Sequence, residues 1–301
     1  MAAAGGGAGG VGGYYDFNGL NSQFNYGANP TVTAFSFPVP AWNLQMSVVR
    51  FSDSDEFGVV STGGYLLRYK RDGTVVSTSK SGITAVGSPV IETPDGSALV
   101  IGSNSPGQLV KLDRDGHDSV FYNTGGSIRS VARMPNGNIA VFDNATNTIS
   151  EISPGGNFIG NLYSNVVSGG GFKTSYMTFK PDNTVYIANE EHYTAPNGQI
   201  RNQNVIYKGT PGGSTTPFII PTLMVDGGLT ILPNGDLLVS TYQSGSNVIK
   251  RYDAETGAVK GDVASVTWPY GALSMSPNGK VYTLGVANRV RIQELSFPEN
   301  Q

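Results

Sequence analysis

Cysteine is missing from the 301 residues, and histidine occurs only twice, at His117 and His192. The first absence excludes a disulfide framework, a thiol nucleophile and a thiolate zinc site. The second excludes a multi-histidine cage, so any metal would need oxygen ligands. Charge is also scarce, at 14% of residues against about 25% in ordinary domains. With 22 acidic and 19 basic side chains the net charge is -3, which leaves no polybasic footprint for nucleic acid or anionic lipid. No apolar run approaches the roughly 18 residues of a membrane span, so neither a nucleic-acid partner nor membrane insertion is expected. What the chain has in excess is glycine, with 41 residues, about twice the usual share. That composition favours strands and turns over helices. The length allows two domains of about 150 residues or one large β domain.

The first 30 residues differ from the rest. Residues 1–13 read MAAAGGGAGGVGG and carry almost no side chain to bury. No lysine or arginine appears before Arg50, so the basic segment of a secretory signal and the arginines of a presequence are lacking, and the chain reads as starting near Met1. Tyr14, Tyr15, Phe17, Phe24 and Tyr26 follow, interleaved with Asn, Gly and Gln in a loop-like pattern. Glycine lets another backbone approach closely, and aromatics are large anchors with little entropy to lose. Residues 1–30 are therefore expected to be an arm that docks on other protein subunits, followed by a second unit over 31–301.

From there a repeat takes over. A Pro-Asx turn recurs at Pro94-Asp95-Gly96, Pro135-Asn136-Gly137, Pro181-Asp182-Asn183, Pro233-Asn234-Gly235 and Pro277-Asn278-Gly279. The prolines are 41, 46, 52 and 44 residues apart, and a degenerate copy lies at residues 52–56. Proline presets φ for the turn, Asx suits the next position, and glycine takes the left-handed one. Each turn lies between two apolar β-rich runs, and a further pair of runs ends in a second turn such as RDG, PGG or ETG. Four antiparallel strands per unit of ~40 residues, six times over, predicts an all-β, six-bladed β-propeller. The last unit ends after its third strand, RVRIQEL, and the alternating segment Thr31 to Phe37 is expected to complete it, closing the ring and removing an open edge.

These five turn motifs and the degenerate sixth resemble the six-bladed propeller superfamily that includes NHL-repeat and SMP-30/gluconolactonase-like proteins, over roughly residues 31–297. The resemblance implies the architecture. The SMP-30-like lactonases hold a central metal with Glu, Asn and Asp side chains. Here Glu92, Asn104, Asp143, Asn144, Asn189 and Asp226 lie within the repeats, but none matches a family motif, so no catalytic or metal residue is carried over.

The strongest departure from regularity is in the fourth unit, where the interval between its two turns is 30 residues against about 20 in units two, three and five. The insertion contains Glu190, Glu191, His192, Tyr193 and Arg201 and is expected to be a loop beside the channel mouth, available to a ligand. Trp42 and Trp268 read as packing residues. No phosphate-binding loop, HExxH or complete Gly-x-Ser-x-Gly is present, and no cofactor is expected. The resulting expectation is a non-enzymatic structural and binding propeller, anchored by its arm in a virion, such as a phage tail or capsid, or another extracellular assembly, with a glycan or host surface as possible ligand. The alternative is a metal-dependent lactonase or hydrolase of the SMP-30-like type.

Overall fold

The computed structural model describes residues 17–38, 46–51, 54–61, 64–80, 90–102, 107–167, 176–194, 196–222, 224–243, 246–266, 273–276, 278–286 and 289–300. Tyr14, Tyr15, Trp42, Asn104 and Trp268 lie outside these residues, as do the side chains of Phe17, His192, Tyr193, Arg201 and Asp226.

Six four-stranded antiparallel sheets make six blades, each read here from its inner strand A to its outer strand D. Blade one runs Met46–Arg50, Glu56–Ser61, Tyr65–Lys70 and Val75–Lys80. Blade two has Ile91–Glu92, Ala98–Ile101, Gln108–Leu112 and Asp118–Asn123; blade three has Ile128–Arg133, Ile139–Asp143, Thr148–Ile152 and Phe158–Ser164. Tyr176–Phe179, Val185–Thr194, Ile200–Gly209 and Thr215–Ile219 form blade four, and Met224–Ile231, Asp236–Gln243, Ser246–Asp253 and Val259–Val266 form blade five. Blade six takes strands A to C from Leu273–Met275, Val281–Val286 and Arg289–Ser296. Its strand D is Thr31–Pro38, paired antiparallel with Arg289–Ser296 from Thr31↔Ser296 to Pro38↔Arg289. The ring is thus closed by the segment the sequence singled out.

The turns form as their residues require. In each Pro-Asx turn the fourth residue donates its amide to the carbonyl before proline, as in Gly137 N to Met134 O at 3.0 Å and Asn183 N to Lys180 O at 2.9 Å. Gly137 has φ 86° and Asn183 has φ 63°, the left-handed conformation that closes a three-residue hairpin. The Asx side chain accepts the amide two residues on, as Asn136 does from Asn138 at 3.0 Å.

Each blade lies between two others, so strands B and C bury both faces, and alternate residues serve opposite seams. In Ile139–Asp143, Ala140 and Phe142 pack toward blade four, whereas Ile139 and Val141 pack toward blade two. Six buried clusters correspond to the six seams. Truncating a seam residue such as Phe142 to alanine removes about 3–5 kcal/mol. The outer strands have a neighbour on one side only, and Val75, Val120, Phe158 and Val259 are accordingly exposed.

The described part of the arm lies on its own propeller. Residues Phe17–Gln23 form a short helix, and Leu20, Phe24 and Tyr26 pack into the seam between blades five and six. The Tyr26 hydroxyl donates to Gly279 O at 2.9 Å. Arg251 donates to Gly27 O at 2.5 Å and to Ala28 O at 2.8 Å. The other chain end joins in, since Asn25 N donates to Pro298 O and Asn300 N to Gln23 O. Composition pointed away from a helix here, because Asn, Gly and Ser are weak helix formers; the tertiary anchors hold it.

Candidate functional site

The antiparallel order puts the A–B and C–D turns on one face of the ring and the B–C and D–A connections on the other. Strand B of blade four rises to this second face and continues past its blade. Its last pairing with strand A is Tyr176↔Ala188, and strand D reaches only Ile206, but strands B and C stay paired out to Thr194↔Ile200. The insertion expected as a loop is therefore a two-stranded ribbon, with six pairs from Asn189↔Val205 onward. Within it Glu190 and His192 alternate with Glu191 and Tyr193, and Arg201 pairs with Tyr193. Successive strand residues point to opposite faces, so Glu190 and Glu191 do not converge.

Val185 and Ile187 pack into the seam with blade three. Asn189 and Glu191 continue that face by alternation. Asn189 is 1% exposed, and neither its Oδ1 nor its Nδ2 has a hydrogen-bond partner. Oε1 of Glu191 is likewise buried and unpartnered. Across the seam Ser130, on strand A of blade three, lies opposite Phe142 and so on the side of blade four. Ser130 is fully buried, and its hydroxyl also has no partner. Beside it Arg129 sits at the bulge between Ile128 and Ser130 with an unpartnered buried Nε, and the B–C turn of blade three adds Asn144 Oδ1. Each buried polar group left unbonded costs about 1–3 kcal/mol, and native folds hold few of them. Others occur singly at Ser54, Ser77, Asn183, Arg251, Ser276 and Thr283, but those of Arg129, Ser130, Asp143, Asn144, Asn189 and Glu191 gather at the ribbon-face end of blades three and four, and that concentration marks the place.

Burial pushes the Glu191 carboxyl above its ordinary value, and a hydrogen bond from the Gln203 side chain offsets part of that. Gln203 is the residue paired with Glu191 across the ribbon. Glu191 has no ion pair among the described residues.

Asp143 behaves differently. It faces blade two and accepts from Ser127 N at 2.9 Å and Ala145 N at 2.8 Å. Burial opposes its charge, yet hydrogen bonds from the Thr124 hydroxyl and from backbone amides hold the carboxyl below its usual range. Its carboxylate lies so close to Gly126 that a Cβ there would be 2.2 Å from Oδ2. Asp143 is a cap for the B–C turn and the D–A connection. Glu92 ends strand A of blade two, at the turn face.

A central metal of the SMP-30-like kind can be tested against these groups. Among the described residues, the carboxylates and imidazoles close enough to share a cation are Asp113, Asp115 and His117. They lie in the C–D turn of blade two, on the opposite face from the ribbon, where Asp113 accepts from the amides of Asp115 and His117. At the ribbon face Oδ1 of Asp143 is used as a cap, and the buried oxygens without a partner are Asp143 Oδ2, Asn144 Oδ1, Asn189 Oδ1, Glu191 Oε1 and the Ser130 hydroxyl. Asp143 faces the seam with blade two and Asn189 and Glu191 the seam with blade three, and the Asn189 NH2 group cannot ligate a cation. Among the described residues no three carboxylate or imidazole groups converge at that face. A groove of about 560 Å³ on the turn face of blade one is lined by Ser54, Asp55, Glu56, Lys70, Arg71 and Asp72, and its charges are partly engaged in Arg68–Glu56 and Arg71–Glu294 pairs.

Sequence reasoning named Asn189 and Glu191 but missed Ser130 and Arg129. A serine and an arginine in a strand carry no signal of their own, and only the seam shows that they lack partners.

No family model matches the chain, and no curated protein is similar to it in sequence. Similarity in structure is broad. A gluconolactonase from Xanthomonas campestris superposes with a TM-score of 0.60 at 14% identity, covering 91% of this chain and 94% of that one. Regucalcin from Agrobacterium tumefaciens, described as a calcium-binding protein, gives 0.55 at 13% identity over 92% and 96%. The PQQ-bound aldose sugar dehydrogenase from Streptomyces coelicolor gives 0.56 at 12% identity over 89% and 100%. The expectation of a non-enzymatic structural propeller of a virion is corrected by these likenesses, because propellers similar over nearly their whole length include a lactonase and a dehydrogenase. In fold, the chain is a six-bladed β-propeller of the kind shared by the SMP-30/gluconolactonase-like proteins.

Proposed function

We propose that the protein is a hydrolase of small cyclic esters, lactonase-like in reaction, with its site on the ribbon face beside blades three and four. One observation carries the reading: Ser130, Asn189 and Glu191 hold buried polar atoms without partners in one seam. A fold that needed the seam only for packing would fill it with apolar side chains, as the same seam does lower down with Ala140, Phe179, Val185 and Ile187. Local rules broken most densely at one place in a repeat point to function. The gluconolactonase likeness supports the reaction class.

Hydrolysis of a lactone adds water across the ring ester. The water oxygen bonds to the carbonyl carbon, the ring C–O bond breaks, and the released alkoxide takes up a proton to give a hydroxy acid. The residues must supply a group that moves the proton and donors that hold the polar substrate. Nδ2 of Asn189 and Nε of Arg129 are free donors, and Oε1 of Glu191 is a free acceptor. No step is routed through a cation.

The test is a panel of five- and six-membered lactones assayed by proton release with the wild-type chain and with Asn189→Leu. Turnover by the wild type and its loss in the variant are expected. A panel bound but not turned over, or equal rates in the two proteins, overturns the reading.

A further inference from the structure

Resting on that reading, we infer that the seam between blades three and four seats the attacking water, and that Glu191 is the base that takes its proton. The three groups that face this seam form a matched set. Ser130 offers a hydroxyl that donates or accepts, Asn189 offers a donor and an acceptor, and Glu191 offers a carboxylate oxygen. A water molecule has two protons and two lone pairs, and buried waters typically make about three hydrogen bonds to groups of this kind. An anion would meet the Glu191 carboxylate, and a metal ion would leave the Asn189 NH2 group unbonded. Water satisfies all three.

The carboxylate is also held in place. Glu191 and Gln203 are paired across the ribbon, and the Gln203 side chain hydrogen-bonds the Glu191 carboxyl while Oε1 remains free. The charged groups at the adjoining end of blade three are Arg129 and Asp143, and Asp143 is turned to the other seam, where backbone amides bond its Oδ1. Burial without an ion pair keeps Glu191 more basic than an exposed carboxylate, which suits proton abstraction from water. The proton passes from water to Oε1 as the C–O bond forms, and from Oε1 to the leaving alkoxide as the ring bond breaks, so the carboxylate is regenerated. The ribbon, an insertion in this blade alone among units two to five, then has a function: it carries the base.

The experiment compares wild type, Glu191→Gln and Glu191→Asp in lactone turnover from pH 4 to 9, with thermal unfolding of each and a high-resolution crystal structure of the wild type. Glu191→Gln should lose about 100-fold or more in kcat with little change in KM. Its remaining rate should lack the acid limb of the pH profile, while Glu191→Asp keeps that limb at reduced kcat. Its melting temperature at neutral pH should be unchanged or higher, since the amide removes a desolvated carboxylate. The crystal structure should show a water within hydrogen-bond distance of Glu191 Oε1 and of Asn189 or Ser130. Full kcat in Glu191→Gln, or a dry seam, overturns this inference and leaves the lactonase reading standing. Failure of the wild type to hydrolyse any lactone overturns the functional reading and this one with it.

Discussion

Asp143 and Asn189 occupy the same position of adjacent blades, each eight residues after its turn proline, and only Asp143 has hydrogen-bond partners. The repeat sets the position, and the residue decides its use. The carboxylate of Asp143 receives two backbone amides and pins the connection from blade two to blade three. Replacing it with alanine strands both amides, and a loss of about 2–3 kcal/mol is expected in denaturant unfolding. The carboxyl is held below its ordinary value, so its contribution is complete above the unfolded pKa and disappears as pH falls through the folded one. The difference between wild type and Asp143→Ala should therefore shrink below about pH 4. A difference that stays constant with pH would show that the charge plays no part.

For Asn189 the sign reverses. The Asn189 amide bonds no protein group, so its replacement by leucine breaks no bond within the fold and removes a desolvated amide. Asn189→Leu should leave stability unchanged or raise it by up to about 1 kcal/mol, while abolishing turnover. A clear destabilisation would mean that the amide bonds a protein group in the folded state.

Much of the architecture was legible in the sequence because its signals are local. Pro-Asx-Gly encodes a turn by sterics alone, and alternation within Thr31 to Phe37 identified the closing strand. The ribbon was half legible: an interval of 30 residues announced extra chain, but NEEHYT and IRNQNV are too polar to read as strands. They pair because the blade beneath them fixes the register. The helix at Phe17–Gln23 was hidden by its composition and rests on contacts with residues more than 200 positions away. The candidate site was the least legible part. Ser130 and Asn189 are ordinary polar residues, and what distinguishes them is the lack of a partner, which is a property of the packed seam.

Ring closure gives a third prediction. Glu294, on strand C of blade six, accepts from Arg71 of blade one at 2.7 Å, from Lys280 at 2.7 Å and from the Tyr282 hydroxyl at 2.9 Å. Burial alone would raise this carboxyl, but the bonds from Lys280, Arg71 and Tyr282 outweigh it and bring it down to about 2. Its stabilisation is fully present above the unfolded value and is lost as pH falls through about 2. Glu294→Gln should cost on the order of 2 kcal/mol at neutral pH, below the 3–5 of a sealed ion pair because Arg71 and Lys280 are partly exposed. Equal stability of the two proteins at pH 7 would remove the pair from the account of closure.

Two turn glycines separate backbone strain from docking of the chain's start. Gly137 and Gly279 fill the same turn position, with φ of 86° and 80°. A Cβ on Gly137 would meet nothing within 4 Å, so Gly137→Ala should cost only the left-handed conformation, about 1–2 kcal/mol. A Cβ on Gly279 would lie 2.7 Å from the Tyr26 hydroxyl, 2.8 Å from the Phe24 ring and 3.0 Å from Leu20. Gly279→Ala must therefore also displace the helix and its aromatic anchors, for about 1–3 kcal/mol more. In a chain lacking residues 1–28 that excess should vanish, and the two substitutions should become equal within about 0.5 kcal/mol, because the three nearest atoms that a Cβ on Gly279 would meet all belong to the docked segment. An excess that survives the truncation would place its cause in the blade itself, and residues 17–28 would then contribute nothing through Gly279.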